Sequence, residues 1–283
     1  VTIDSDWAGA LEFTNCGQTG QNGPSQSQCN SEYSGTTLDG EVTITSGIQS
    51  WTVPADGTYV IEVIGGGGGE ITSNSYTPGY GAYMSGEFSL TQGDVLQILV
   101  GNKGDSFAYT SGGGGGSFVA IGSSYSSATP LIIAGGGGGE GNSGGPGFNA
   151  STGTSGTNGH PGYGYGVSGY GNTNGSNGGW GSGGAGFYGN GTPSWSSGNP
   201  SYAFIGGGNG SSGNGGNSSS SCSGAPGGFG GGGSGACNGG GGGGGYSGGG
   251  QGGGGGGSYN SGSNQSSFAG GTTGHGYVTI DLN

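Results

Sequence analysis

Glycine constrains this chain more than any other feature: 88 of the 283 residues are glycine, and many stand in unbroken runs such as 239–245 and 252–257. Collagen is excluded, because it needs glycine at every third position and abundant proline, whereas only 9 residues are proline here. A glycine run buries no side chains, but adjacent backbones can approach closely enough to exchange N–H to C=O hydrogen bonds. We therefore expect extended helices with three residues per turn, packed side by side.

Short β-branched and aromatic runs bounded by turn residues predict strands in the first half of the chain. These predicted strands comprise residues 41–45, 48–53, 58–64, 82–90, 95–100, 117–121 and 130–134, and a closing strand follows at 276–282. No segment shows the periodicity of an amphipathic helix. The sequence therefore predicts an all-β fold with almost no α-helix, an antiparallel jelly-roll-like sandwich with an inserted bundle of polyglycine II helices.

This pattern divides the chain into four parts. Residues 1–12 form an N-terminal strand or arm, 13–140 the sandwich with glycine runs, 141–274 the glycine-rich insertion, and 275–283 the closing strand. Because the closing strand returns to the sandwich, both ends of the insertion are anchored, which lowers the entropy cost of ordering it. The insertion is therefore expected to be folded and not to be a flexible linker.

The charge of the chain is strongly one-sided. Lys103 is its only basic residue apart from histidine, 14 residues are acidic, and the net charge is −13. Such a chain cannot neutralise phosphates, which argues against nucleic acid and anionic membrane surfaces as partners. No apolar run has the length of a membrane span, so membrane insertion is not expected. Because the sequence starts at Val1 without an initiator methionine, we expect a mature secreted product.

Residues suited to catalysis are sparse. His160 and His275 lie in glycine-rich stretches without an acidic neighbour in sequence, and nucleophilic catalysis needs an oriented base. Carboxylate pairs such as Asp4 with Asp6 and Asp39 with Glu41 lack the spacing of a calcium loop, which favours solvated surface charge. The glycine runs lack the helix and lysine of a phosphate-binding loop. We expect no enzyme activity, no cofactor and no metal site.

The cysteines and asparagines suggest an oxidising, extracellular or cell-surface location. Four cysteines stand as two close pairs, Cys16 with Cys29 and Cys222 with Cys237, which suits two local disulfides; free or metal-bound thiols are the alternative. Candidate N-glycosylation sequons, some of which are expected by chance in so asparagine-rich a chain, occur at Asn149, Asn174, Asn190, Asn209, Asn217 and Asn264.

The two ends of the chain repeat one tetrapeptide, as Val1, Thr2, Ile3 and Asp4 and again as Val278, Thr279, Ile280 and Asp281. One interpretation is two ordinary strands of favourable composition. The other is that the N-terminal copy is a free strand that pairs with the exposed sheet edge of a neighbouring subunit, as in head-to-tail assemblies.

Aromatic residues cluster in a neutral stretch rich in asparagine and serine. They are Tyr163, Tyr165, Tyr170, Trp180, Phe187, Tyr188, Trp195 and Tyr202. Their rings can cover the flanks of glycine helices, or they can contact a carbohydrate or a neighbouring subunit, because flat amphipathic rings suit both. Sequence alone does not separate these interpretations.

Three segments together are similar to one known family. They are residues 13–29 with both cysteines, residues 51–59 with Trp51 and Pro54, and residues 222–250 with Phe229 and Tyr246. They resemble the glycine-rich extracellular region of the anaplastic lymphoma kinase and leukocyte tyrosine kinase receptors, and residues 96–101 and 131–139 resemble strands of that region in the same order.

The resemblance implies a tumour-necrosis-factor-like sandwich with polyglycine helices in hexagonal packing, and the disulfides Cys16–Cys29 and Cys222–Cys237. The sequence contains no kinase domain, so we expect the scaffold to correspond but not receptor signalling.

The preferred functional prediction is a secreted, self-assembling structural protein, the head-to-tail subunit of an extracellular filament, sheath or matrix. The repeated terminal strands and the near absence of sites for trypsin-like cleavage motivate it. The first alternative is an extracellular recognition module, either a glycan-binding adhesin or the ligand-binding domain of a receptor. The second alternative is ice binding by flat polyglycine surfaces, although the regular threonine or alanine rows that this activity needs are missing.

Overall fold

The fold is described from a computed structural model over residues 10–71, 76–160, 181–193, 200–211 and 224–283. The strands in these ranges are β1 (Leu11–Phe13), β2 (Val42–Thr45), β3 (Ile48–Thr52), β4 (Gly57–Ile64), β5 (Gly81–Leu90), β6 (Val95–Leu99), β7 (Ser117–Ile121), β8 (Thr129–Ala134), β9 (Tyr259–Asn260), β10 (Ser263–Thr272) and β11 (Tyr277–Leu282). One α-helix, α1 (Gln26–Glu32), and two short 3-10 helices, Tyr125–Ser127 and Phe204–Gly206, complete them.

The strands form two antiparallel sheets, as predicted. Sheet A has the order β1-β11-β4-β5-β10, and sheet B has the order β2-β3-β6-β7-β8-β9. A first hydrophobic core fills the space between them, where Tyr59, Ile61, Ile98 and Ile132 are fully buried. This arrangement confirms the all-β sandwich and the near absence of α-helix, whereas the closer likeness to tumour necrosis factor remains a prediction from the resemblance.

Every predicted strand is confirmed, but two strands near the end of the chain were not predicted. All seven predicted strands and the closing strand are present, with ends shifted by no more than one residue. The boundary at 274 for the glycine-rich insertion is wrong, because β9 and β10 lie inside that range and pair with β8 and β5. Most of β10 is polar and exposed, so its sequence carries no alternation of apolar and polar residues that would identify a strand.

The short helix α1 was also not predicted. It starts with a capping box, in which the Ser25 side chain accepts from the backbone N–H of Gln28 and the Gln28 side chain accepts from the backbone N–H of Ser25. This helix buries Cys29, whose partner Cys16 follows β1. The helix therefore belongs to the loop that the disulfide closes.

The central strands of sheet B are covered on both faces. The outer face of this sheet contributes Ile48, Leu99, Phe118 and Ile133 to a second hydrophobic core. The insertion supplies the facing side chains Phe187, Phe204 and Phe229, all with at most 1% of their surface exposed. The ring centroids of Phe187 and Phe204 lie 4.8 Å apart in a stack, and that of Phe118 lies 5.1 Å from Phe204. The insertion is thus docked on sheet B through aromatic side chains.

The glycine segments are held together by backbone hydrogen bonds between different segments. Along one run, the N–H groups of four successive residues donate to four different acceptors: Gly136 to Gly244, Gly137 to Gly66, Gly138 to Phe148 and Gly139 to Gly241. The fourth bond returns to the segment reached by the first, so the bonding partner repeats every three residues. This period agrees with the predicted polyglycine II helices, whose conformation remains a prediction. We call the bonded segments the glycine lattice.

The glycine lattice extends beyond the predicted insertion. Residues 65–69, 101–104 and 135–139 follow strands of the sandwich, residues 112–116 precede one, and all four runs bond within the lattice. Examples are the bonds from Gly66 to Gly115 and from Gly113 to Gly233. The division of the chain at residue 140 therefore does not separate two structural units. Each run must extend from its neighbouring strand toward the lattice. Sequence patterns do not encode this direction, because it depends on where the other segments lie in space.

Candidate functional site

The outer face of sheet A is the large sheet surface that no described element covers. Antiparallel pairing places directly opposed residues on one face, and Thr279 of β11 pairs with Glu12 on one side and Glu62 on the other. Along these strands, Val278 and Ile280 are buried in the core between the sheets, while Thr279 and Asp281 point outward. We call this outward surface the open face.

Four carboxylates lie on the open face: Glu12, Glu62, Glu87 and Asp281. Glu62 pairs in register with Ser85, while Glu87 and Asp281 both pair with Val60, which places all four on the same side. Glu12 and Asp281 are exposed, and Glu62 and Glu87 are half-buried. Lys103 forms an ion pair with Glu70 at 2.8 Å, so the only lysine of the chain is engaged with a carboxylate outside this face.

An aromatic row crosses the same face beside the carboxylates. Tyr83 of β5 stacks on Phe268 of β10, with ring centroids 4.8 Å apart and planes inclined by 20°. The Tyr83 hydroxyl donates to Glu62 Oε1 at 2.6 Å. Burial and the neighbouring Glu62 raise the pKa of Tyr83, and burial, Glu62 and Glu12 raise that of Tyr277. The phenols thus stay neutral hydrogen-bond donors beside the carboxylates.

These features define the chemistry that the open face offers. It combines negative charge, flat rings and hydroxyl donors on a rigid sheet, and half of the Phe268 side chain is exposed. Such a surface attracts positively charged groups, and aromatic faces add cation–π attraction to arginine and lysine. Within the described ranges, no cluster of three or more His, Cys, Asp or Glu residues is arranged to hold a metal ion.

A buried carboxyl group lies elsewhere, at the edge of the glycine lattice. Only 1% of Glu140 is exposed, and its Oε2 has no hydrogen-bond partner in the described structure. Its backbone N–H donates to Ser111 Oγ at 2.7 Å. Burial raises the pKa of the Glu140 carboxyl to about 7, an effect that Glu70 increases and that Lys103 and the Ile71 N–H oppose. No sequence pattern indicates that this carboxyl group is buried, because its burial depends on the packing of distant segments.

Stability is expected to depend on pH through Glu140. Because its pKa is higher in the folded state than in the unfolded state, Glu140 stabilises the fold fully below the unfolded pKa of about 4.5. This contribution is lost as the pH rises through about 7, and the loss should approach roughly 2–3 kcal/mol. Urea unfolding at several pH values should show this slope in the wild type but not in Glu140→Gln. The control Glu41→Gln removes an exposed carboxyl group that does not shift the pKa of Glu140, so it should keep the slope. An unchanged slope in Glu140→Gln would contradict the assignment.

The predicted disulfide Cys16–Cys29 is confirmed, with Cα atoms 4.9 Å apart. Cys237 is also disulfide-bonded, whereas its expected partner Cys222 lies outside the described residues. No described cysteine is free. The alternative of free or metal-bound thiols is therefore wrong for Cys16, Cys29 and Cys237.

Four of the six candidate glycosylation sites can be placed. Asn149, Asn190, Asn209 and Asn264 are exposed, while Asn174 and Asn217 lie outside the described residues. The Asn149 side chain accepts from the N–H of Tyr80, and that of Asn190 accepts from the N–H of Ala203. Attachment of a sugar remains a prediction at all six positions.

The predicted aromatic cluster is only partly described. Phe187 is buried in the second core, while Tyr188 and Tyr202 are 45% and 36% exposed. The remaining members, Tyr163, Tyr165, Tyr170, Trp180 and Trp195, lie outside the described residues. The Phe187 ring packs in the core between the insertion and sheet B. A role in glycan binding remains a prediction for the other aromatic residues of the cluster.

The remaining predicted positions, a histidine and the repeated tetrapeptide, do not form a common site in the described structure. His275 Nδ1 accepts from the N–H of Lys103, and burial together with Lys103 lowers its pKa. The tetrapeptide Val278–Asp281 is an inner part of sheet A, between β1 and β4, whereas its copy at residues 1–4 lies outside the described residues. The open face was missed because it combines residues from the two ends of the chain, and only strand register reveals it.

Comparison with known proteins gives a partial match. No family model matches the chain. A segment of 99 residues, 34% of this chain, is 35% identical to the leukocyte tyrosine kinase receptor of Mus musculus, and the match spans 11% of that receptor. The similarity is distant and covers about a tenth of the relative's length. None of the helices in the described ranges combines the length and the hydrophobicity that a membrane span requires. The disulfide and the match are compatible with an extracellular or cell-surface location.

Proposed function

We propose that this protein is a non-enzymatic extracellular recognition module that binds a positively charged protein through the open face of sheet A. The observation that carries the proposal is the uncompensated group of four carboxylates beside the row of Tyr83, Phe268 and Tyr277. The partial similarity to a receptor supports an extracellular recognition module.

The asymmetry of the sandwich favours this face over the rest of the scaffold. The central strands of sheet B are buried on both faces, one against sheet A and one against the insertion. The outer face of this sheet exposes a narrow strip of threonines at β2 and β3, namely Thr43, Thr45 and Thr52. Sheet A presents one face to solvent on a rigid frame, so binding requires little ordering of the backbone. Clustered negative charge accelerates encounter with a basic partner and rejects acidic ones.

The test is a binding screen of the disulfide-intact protein against extracellular protein domains of differing charge. We expect saturable binding to basic domains, weakened about tenfold by the double substitution Glu62→Gln and Glu87→Gln, and weakened by added salt. The matched control, Asp39→Asn with Glu41→Gln, removes two exposed carboxylates from the turn that precedes β2 of sheet B and should leave the affinity unchanged. Binding that is equal in both double variants would contradict the proposal.

Self-assembly into an extracellular filament, sheath or matrix is the second candidate. The observation that favours it is the tetrapeptide shared by residues 1–4 and by β11, which pairs with strands on both of its sides. A segment of identical sequence is therefore suited to strand pairing with a neighbouring subunit. Electron microscopy should show ordered filaments that disappear when residues 1–10 are removed.

A further inference from the structure

We propose that the outer edge of β10 accepts residues 1–4 of a second copy as an added strand of sheet A. The inference rests on the self-assembly candidate above and names its acceptor. A sheet edge carries unpaired N–H and C=O groups that can pair with another chain, and proteins usually block such edges. The four edges of the two sheets differ in how well they are blocked.

Three of the four edges offer little to an incoming strand. The β9 edge has two residues and the β1 edge has three. The β2 edge is closed by the side chain of Gln26, which accepts from the N–H of Ile44 at 2.8 Å and donates to the carbonyl of Val42 at 2.9 Å. The amide of Gln26 therefore takes the place that a neighbouring strand would occupy.

The fourth edge, β10, is open. This strand has ten residues, Ser263–Thr272, and exposes its first seven. Among the described strands it pairs with β5 alone. It contains no lysine, no proline and no acidic residue that would repel a pairing strand. Register shifts near both ends leave a regular central part at Ser266, Ser267, Phe268 and Ala269. That part is long enough to pair with a tetrapeptide.

The side chains of residues 1–4 fit this position by alternation. In β11 the same sequence buries Val278 and Ile280 and turns Thr279 and Asp281 outward. On β10, Ser267 and Ala269 share the core-facing side of sheet A, since they pair with the buried Met84 and Ala82. Both are small and exposed, which leaves room for Val1 and Ile3 beside them.

The position of the arm makes the contact repeatable. Residues 1–10 precede β1, which is one edge of sheet A, and β10 is the opposite edge. A donor at one edge and an acceptor at the other form a heterologous contact, which can continue from subunit to subunit.

The experiment uses a synthetic peptide of residues 1–10 and a chain that lacks them, which retains every described strand. We expect saturable binding by fluorescence anisotropy and amide hydrogen exchange slowed about tenfold or more in residues 263–272. A control peptide with Thr2→Pro and Ile3→Pro cannot pair as a strand. It should therefore neither bind nor slow amide hydrogen exchange in residues 263–272. Protection of another segment without β10, or no binding, overturns the proposal.

A second variant separates this acceptor from self-assembly itself. Ser267→Lys with Ala269→Lys places charge on the exposed edge while leaving residues 1–10 intact, and it should abolish filaments and peptide binding. If filaments require residues 1–10 but form normally in this variant, self-assembly stands and the β10 acceptor fails. If the full chain forms no filaments and the peptide does not bind, both proposals fail.

Discussion

Replacing Gly243 with alanine should lower the free energy of unfolding by roughly 4 kcal/mol or prevent folding. Gly243 lies within the glycine lattice, where its N–H donates to Gly254 and its carbonyl accepts from Gly249, both at 2.8 Å. A Cβ atom at this position would overlap the carbonyl oxygen of Gly136. Because the obstructing atom belongs to a backbone that is itself bonded on several sides, no side chain can rotate away to relieve the clash.

The matched control is Gly206→Ala. Gly206 is exposed at the end of a 3-10 helix, and an added Cβ would meet nothing closer than the Asn190 side chain at 3.9 Å. Urea unfolding should place this variant within about 1 kcal/mol of the wild type. Equal stability of Gly243→Ala and Gly206→Ala would mean that the lattice is not close-packed.

Replacing Phe187 with alanine is expected to lower the free energy of unfolding by about 3–5 kcal/mol. Phe187 is fully buried in the second core and stacks on Phe204 at 4.8 Å. Removing its ring leaves a cavity between the insertion and the outer face of sheet B, and the hydrogen-bonded lattice above it can close only partly. Urea unfolding of the disulfide-intact protein measures the loss.

The neighbouring residue provides the control for this second prediction. Tyr188 is 45% exposed, so Tyr188→Ala removes an aromatic ring of similar size without opening a buried cavity. It should cost less than about 1.5 kcal/mol. A loss at Phe187 no larger than that at Tyr188 would argue that the insertion is held by its backbone hydrogen bonds alone.

These two predictions separate the forces that hold the insertion. The glycine lattice is stabilised by backbone hydrogen bonds in a space that excludes side chains, whereas its attachment to sheet B is an aromatic core of the ordinary kind. A stable, rigid attachment matters for the proposed function, because it keeps the central strands of sheet B covered and leaves sheet A as the larger sheet surface for partners.

The sequence determined the local features that follow from residue type. Alternating and β-branched residues fixed the strands of the first half, since burial on one face of a sheet requires alternation. The glycine runs required backbone bonding, because they have no side chains to bury. The two cysteines near the start also lay close enough in sequence for the local disulfide that is observed.

Only the tertiary structure decided the features that depend on residues distant in sequence. The polar strand β10 exists because β5 offers it a partner, and Phe187 is core because Phe118 and Phe204 surround it. Glu140 is buried by segments that follow it by about a hundred residues, such as Gly240. The open face unites Glu12, Glu62 and Asp281 through strand register. Each of these features depends on which strands pair and which segments pack together. The local pattern of residues contains neither kind of information.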